Sequence, residues 1–147
     1  MKINDRGLNL IKFYEGLKLK SYQDDGGVWT IGFGSTRRVG PGMVITADQA
    51  LERLSQDLEE KEKLVESMVK VPLTSNEFSA LVSFAYNVKE KEFITSSLVK
   101  LLNEGKKDLA AHEFLRWDHC DGKAIQGLLN RRLAERALFL YPDAGDK

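Results

Sequence analysis

Apolar residues recur with a helical period over most of this chain, and they alternate like a strand in one short stretch near its N-terminus. The first predicted helix begins after a cap at Asn4 or Asp5 and carries Leu8 and Ile11 on one face. Glu15 continues the same face, because it lies four residues after Ile11 and seven after Leu8. The pattern therefore predicts a carboxylate that points toward the protein body at the end of the helix.

A β-hairpin is predicted directly after this helix. Gly16 fits the helix end, and the run DDGG at residues 24–27 is a strong turn signal between two alternating segments. In the second strand the large apolar side chains share one face, which we expect to be core. Thr30 then faces the opposite side together with Gly32 and Gly34, where small residues would let a ligand approach the backbone.

The rest of the chain is predicted to be helical. Capping boxes at Thr46/Gln49 and Thr74/Glu77 open two helices, the first of them running to about residue 70. Shorter helices follow at 96–104 and 108–117. The last helix covers 128–140, with four residues expected to face inward: Leu129, Leu133, Ala137 and Leu140.

These elements predict a mainly helical α+β fold in one domain of 147 residues. We expect a small β lobe over about 16–46, a connecting helix over about 47–70, and a helical lobe that joins about 71–147 to the N-terminal helix. The charged run at 59–63 is interpreted as the solvated face of the connecting helix.

Composition excludes several classes of protein. The 22 basic and 22 acidic residues cancel, so no overall positive field favours nucleic acid. No stretch is apolar enough to span a bilayer, and the charged N-terminus does not fit a signal peptide. Cys120 is the only cysteine, which rules out an intrachain disulfide. We therefore expect a cytosolic monomer without stable membrane insertion.

Metal and nucleophile sites find little support in the sequence. Asp118, His119, Cys120 and Asp121 form a polar cluster, but their spacing matches no standard zinc pattern, and a polar loop explains them better. His112 has no serine or cysteine nucleophile suggested beside it. We expect no metal and no cofactor.

Two carboxylates on adjacent elements are the remaining candidates for chemistry. Such a pair is the minimum apparatus for cleaving a glycosidic bond. Glu15 ends a helix, and the negative end of the helix dipole disfavours its ionised form, as suits a general acid. The alternative is a structural glutamate neutralised by a buried arginine. At the turn, Asp24 and Asp25 are equally placed, and either could be only a turn former.

The motif from Glu15 to Thr36, E-G-x-x-L-x-x-Y-x-D-x-x-G-V-W-T-I-G-F-G-S-T, resembles that of the phage lysozymes, glycoside hydrolase family 24. Further matches extend to the C-terminal helix, so the resemblance covers nearly the whole chain. It implies a two-lobed lysozyme fold and a muramidase that cleaves the β-1,4 bond between N-acetylmuramic acid and N-acetylglucosamine in peptidoglycan. It also implies Glu15 as the acid, Asp24 as the second carboxylate and Thr30 as a holder of water, in an inverting reaction.

Supporting residues also follow from the resemblance. Arg131 aligns with an arginine that pairs with the catalytic glutamate. Tyr86 and Asn87 fall where the family lines its sugar groove, although a core aromatic and a helix end explain them equally well. With Gly34 they form the predicted substrate-binding set.

Two departures from the family pattern stand out. Ser35 replaces a histidine, so a salt bridge or a supporting contact of the loop is expected to be lost. After Asn87 the usual glycine is replaced by the charged run that continues through Lys89 to Glu92, which would change the rim of the groove.

Two rival functions are a lytic transglycosylase and a non-catalytic module that binds the cell wall. A transglycosylase has no use for the water-handling pair Asp24 and Thr30, and a binding module would not need both carboxylates. The resemblance further implies an endolysin that is made in the host cytoplasm and reaches the periplasm through a separate holin pore.

Overall fold

The computed structural model describes residues 1–120 and 123–142. The mainly helical α+β class is confirmed. The helices are α1 (Asp5–Glu15), α2 (Ala47–Met68), α3 (Ser75–Asn87), α4 (Glu90–Ile94), α5 (Ser97–Asn103), α6 (Lys107–Glu113) and α7 (Gln126–Leu140), with a 3-10 helix at Phe114–Arg116. The strands are β1 (Lys18–Gln23), β2 (Trp29–Gly32), β3 (His119–Cys120) and β4 (Lys123–Ala124), which form two antiparallel pairs, β1 with β2 and β3 with β4.

The chain divides into two compact units by its internal contacts. The hairpin unit comprises Ile11–Glu60, and the helical unit comprises Met1–Leu10 with the described residues from Lys61 onward. Helices α1 and α2 each contribute residues to both units. The cleft expected between two lobes stays a prediction.

Helix ends follow the predicted capping chemistry. The side chain of Asn4 accepts a hydrogen bond from the amide of Gly7 at 3.0 Å, which selects Asn4 over Asp5 as the cap of α1. The capping box at the start of α2 is present in both directions, at 2.9 and 3.1 Å. The equivalent box opens α3. Hydrogen bonds between residues three apart in the chain therefore mark the starts of these helices.

An aromatic cluster forms much of the core of the helical unit. The ring of Phe84 contacts those of Phe93, Phe114 and Trp117, with centroids 5.4–6.0 Å apart. Phe139 of α7 adds a ring 5.7 Å from Phe114. These contacts bring α3 and the 3-10 helix against α7.

The predicted inward face of α7 is wrong. Leu133 and Leu140 are 43% and 49% exposed, whereas Arg131, Arg132 and Glu135 are buried. Glu135 contacts both arginines and accepts a hydrogen bond from the hydroxyl of Ser83 at 2.6 Å. Because each charge has a partner inside the helical unit, burial of three ionic side chains is tolerated and the apolar pattern of the sequence is overridden.

Two smaller predictions also need correction. The run at 59–63 is not wholly solvated, since Glu62 is 6% exposed and accepts a hydrogen bond from the amide of Ile3 at 2.7 Å. The polar cluster at 118–121 is not only a loop, because β3 contains His119 and Cys120. Asp121 lies outside the described residues.

The burial of α7 predicts a clear difference between two substitutions. Glu135→Gln removes the buried carboxylate that contacts both Arg131 and Arg132, and it is expected to lower the free energy of unfolding by about 3 kcal/mol. Leu133→Ala, on the face that the sequence pattern favoured, is expected to cost less than about 1 kcal/mol because the side chain is already exposed. Urea denaturation of both variants measures the difference. An equal loss in the free energy of unfolding for Glu135→Gln and Leu133→Ala would contradict the observed orientation of α7.

Candidate active site

The five residues 24–28 connect β1 to β2 and carry the second predicted carboxylate. The amide of Asp24 donates to the carbonyl of Val28, and the amide of Gly27 donates to the carbonyl of Asp24, both at 2.9 Å. Gly27 takes a φ of +80°, which a residue without a Cβ adopts easily. This is a tight turn closed by a left-handed glycine, and it fixes the register of the hairpin.

The side chain of Asp24 is part of this turn. Its Oδ1 accepts hydrogen bonds from the amides of Gly26 and Val28, each at 2.9 Å. Asp24 is therefore the turn former of the two aspartates, and its carboxylate is held in one orientation. Its Oδ2 has no hydrogen bond within the described part of the chain, and the residue is exposed. One oxygen is anchored and the other can meet a ligand.

Thr30 lies in β2 with its hydroxyl bound to the same residue that anchors Asp24. Its Oγ1 donates to the carbonyl of Val28 at 3.0 Å. The amide of Val28 thus holds Asp24 while its carbonyl holds Thr30. The backbone of Val28 therefore holds the side chains of two predicted site residues, Asp24 and Thr30.

The open, glycine-lined face predicted around Thr30 is wrong. Thr30 is only 4% exposed. Gly32 has a φ of +69°, so strict alternation of side chains fails at this point of β2. A Cβ added to Gly32 would lie 3.4 Å from the Cβ of Ala50, so its surroundings are filled by α2 and not by space for a ligand.

Glu15 is the last residue of α1, as predicted, and it is half-buried. The amide of Gly16 donates to the carbonyl of Lys12 at 3.0 Å, and Gly16 then leaves the helix with a φ of +72°. This left-handed step turns the chain from α1 into β1. The carboxylate of Glu15 therefore lies at the negative end of a helix.

Tyr22 is a site residue that stands in the motif without a predicted role. It pairs directly with Thr30 across the hairpin, so the two side chains share one face of the sheet. Burial raises the pKa of the Tyr22 phenol above its ordinary value of 10.0, and the negative charges of Glu15 and then Asp24 raise it further. Tyr22 thus interacts electrostatically with both carboxylates, and its phenol is neutral at neutral pH. The register set by the turn could have identified it.

The loop after β2 holds the last predicted residue of the hairpin unit. Gly34 has a φ of +89° and lies in a tight turn in which Ile31 and Ser35 exchange two backbone hydrogen bonds of 2.9 Å. The hydroxyl of Ser35 donates to Asp57 of α2 at 2.5 Å, and the side chain is buried. The contact expected to be lost with the histidine is therefore replaced by a hydrogen bond to a carboxylate.

The remaining predicted residues belong to the helical unit. Arg131 is 3% exposed, with its Nε 3.2 Å from Glu135 and its Nη2 3.2 Å from the carbonyl of Ser83. Asn87 ends α3 and accepts a hydrogen bond from Arg132. Tyr86 is half-buried beside it. The pairing of Arg131 with Glu15 stays a prediction.

No group of three or more potential metal-binding side chains occurs among residues 1–120 and 123–142. The Nδ1 atom of His119 contacts a carboxylate oxygen of Asp118. None of the helices in the same described ranges is long and apolar enough to cross a membrane.

Known proteins match this chain in sequence and in structure over most of its length. The sequence model of the family described as phage lysozyme matches residues 12–135. An endolysin of Acyrthosiphon pisum secondary endosymbiont phage 1 is 43% identical, over 95% of this chain and 98% of its own length. An endolysin of Bacillus phage PZA is 49% identical over 95% of this chain, which spans only 55% of that protein. Among solved structures, the muramidase domain of SpmX from Asticaccaulis excentricus gives a TM-score of 0.90 at 36% identity, covering 96% of this chain and 99% of that domain.

The raised pKa of Tyr22 can be measured by titration. The absorbance of ionised tyrosine near 295 nm, taken as the difference between the parent and Tyr22→Phe, is expected to titrate with a midpoint above pH 10. Glu15→Gln should lower this midpoint, because it removes one of the two negative charges that oppose ionisation. A midpoint at or below 10, or one that Glu15→Gln leaves unchanged, would contradict the arrangement.

The same titration has a consequence for stability. The pKa of Tyr22 is higher in the folded than in the unfolded chain, so the folded state binds the phenolic proton more tightly. This contribution to stability is fully present below the unfolded pKa and is lost as the pH rises through the folded one. Tyr22→Phe should therefore lose less stability than the parent on going from pH 9 into that alkaline range.

Proposed function

Because the chain belongs to the phage lysozyme family, a family of muramidase-type glycoside hydrolases, we propose which bond it cleaves and how. The proposed substrate is the β-1,4 bond between N-acetylmuramic acid and N-acetylglucosamine in peptidoglycan. Glu15 is the general acid, and Asp24 and Thr30 hold the attacking water. The observation that carries this proposal is the double anchoring of Asp24 and Thr30 by the backbone of Val28.

Glu15 has the surroundings that a general acid needs. It is half-buried and is the last residue of α1, directly before the hairpin that carries Asp24 and Thr30. In the proposed reaction this proton passes to the glycosidic oxygen as the bond to the anomeric carbon breaks. The leaving sugar thus departs as a neutral alcohol.

Asp24 and Thr30 together can orient one water molecule. The proton of the Thr30 hydroxyl is already donated to Val28, so its oxygen is left to accept a hydrogen from water. Asp24 offers Oδ2 as a second acceptor and, in this role, takes the proton that the water loses. With both of its hydrogens held, the water directs an oxygen lone pair at the anomeric carbon.

This arrangement favours inversion of configuration. Water attacks the face of the sugar opposite the leaving group, which requires carboxyl groups roughly 6.5–9.5 Å apart. The neutral phenol of Tyr22 beside both carboxylates adds no third negative charge to the site. A transglycosylase would gain nothing from an anchored pair of water acceptors.

Substrate contacts and biological setting complete the proposal. Gly34, Tyr86 and Asn87 are proposed to line the sugar site, with the amide nitrogen of Asn87 as donor because its oxygen is bound by Arg132. Arg131 is proposed to support Glu15. The protein acts on bacterial peptidoglycan as an endolysin, and we propose that it works as a monomer and leaves the host cytoplasm through a separate holin pore.

The two aspartates of the turn provide a matched test. Asp24→Asn keeps an Oδ1 that can accept from Gly26 and Val28, so the hairpin should survive while the charge is lost. We expect the rate of peptidoglycan hydrolysis to fall at least about 100-fold, because proton transfer to a positioned base is removed. Asp25→Asn changes charge equally at the neighbouring position and should retain nearly the parental rate.

Glu15→Gln completes this series. It should lower the rate at which purified cell walls are cleared by about 100-fold or more, with the unfolding midpoint close to that of the parent. Equal losses in Asp24→Asn and Asp25→Asn would contradict the role of Asp24, and a fully active Glu15→Gln would contradict that of the acid.

A further inference from the structure

A polar cavity of about 500 Å³ lies within the hairpin unit, and none of the predicted site residues lines it. Its walls are the loop at Arg37 and Arg38 and one side of α2 with Glu52, Arg53 and Asp57. This volume is within the range of roughly 300–1,000 Å³ found for small-molecule sites in proteins. The cavity is large enough for a few amino acid residues.

Two of its three arginines have structural partners. Arg37 contacts Glu60 at 2.5 Å, and its carbonyl accepts a hydrogen bond from Arg53 at 2.7 Å. Asp57 accepts the Ser35 hydroxyl at 2.5 Å and lies 3.8 Å from Arg37. These contacts fasten the loop to α2, so the cavity wall is built by the fold.

Arg38 differs from its neighbours. Within residues 1–120 and 123–142 its guanidinium has neither a hydrogen bond nor an ion pair, although it lines the cavity. Its φ of +54° is in the left-handed region, and it is the only residue other than glycine with positive φ in that part of the chain. A conformation that glycine would adopt more easily is thus occupied by a cationic side chain, which points to a function for that side chain.

Glu52 supplies an opposite charge in the same cavity. It is exposed on α2 and likewise has no hydrogen bond or ion pair within the described ranges. A guanidinium recognises a carboxylate through paired hydrogen bonds, and a carboxylate recognises an ammonium group. A ligand with both a carboxylate and an amine would therefore satisfy both side chains at once.

We propose that this cavity binds the peptide stem of peptidoglycan, with Arg38 on a stem carboxylate and Glu52 on the free amine of its diamino acid. The inference rests on the proposed function, since it assigns a second part of the same substrate. The uncharged hydroxyl and amide groups of the glycan offer these two side chains no ionic partner. A phosphate group could pair with Arg38 but would leave Glu52 unsatisfied.

Binding of a free stem peptide tests this assignment without any glycosidic bond. The probe is the tripeptide N-acetyl-L-alanyl-γ-D-glutamyl-meso-diaminopimelate, whose only free amine is that of the diamino acid, titrated into the full-length protein by calorimetry. Arg38→Gly removes the cation and relieves the left-handed conformation, so the melting temperature should not fall while Kd rises at least about tenfold. Glu52→Gln should also weaken binding. Lys20→Ala, which removes an exposed cation of the same unit that does not line the cavity, should leave Kd unchanged.

Several results would overturn the proposal. These are no binding of the tripeptide to the parent, an unchanged Kd in Arg38→Gly, or inorganic phosphate binding as tightly as the tripeptide. On intact cell walls, Arg38→Gly should raise the half-saturating wall concentration while the maximal rate is kept, because uniform binding energy is lost. Glu15→Gln should bind the tripeptide like the parent, so failure of the hydrolytic proposal and failure of the stem site are distinguishable.

Discussion

The backbone of Val28 fixes both groups that are proposed to handle water. Its amide holds one oxygen of Asp24, and its carbonyl takes the proton of the Thr30 hydroxyl. The hydrogen bond to Asp24 requires the turn between the two strands, whereas the bond to Thr30 joins residues two apart in the chain. The same register places Tyr22 opposite Thr30, near the charges of Asp24 and Glu15. Folding of this one hairpin therefore fixes the positions of Asp24, Thr30 and Tyr22 before any substrate binds.

Much of this arrangement was predictable from short-range sequence chemistry. The run DDGG specifies a tight turn, and Gly16 specifies the helix end that leaves Glu15 last in α1. Capping boxes located the starts of α2 and α3, because their hydrogen bonds join residues three apart in the chain. The choice of Asp24 over Asp25 required the family resemblance and stays a prediction, while the structure shows that Asp24 is the residue whose side chain is held by the turn.

Features that depend on partners distant in sequence were not predictable. The buried face of α7 carries Arg131, Arg132 and Glu135, and its charges are tolerated because they pair with one another and with polar groups such as Ser83 in α3. Thr30 is buried and Gly32 takes a left-handed conformation close to Ala50 of α2, neither of which alternation of apolar residues encodes. The cavity at Arg38 likewise requires the loop to be fastened to α2.

The stereochemistry of the first product tests the central claim most directly, since a water held by Asp24 and Thr30 must attack from the face opposite the leaving group. Proton NMR of a soluble peptidoglycan fragment can record the anomer formed in the first minutes, before mutarotation. We expect new N-acetylmuramic acid ends that are initially α, inverted from the β bond that was cleaved. Initial β ends, or 1,6-anhydro ends formed without water, would contradict the account.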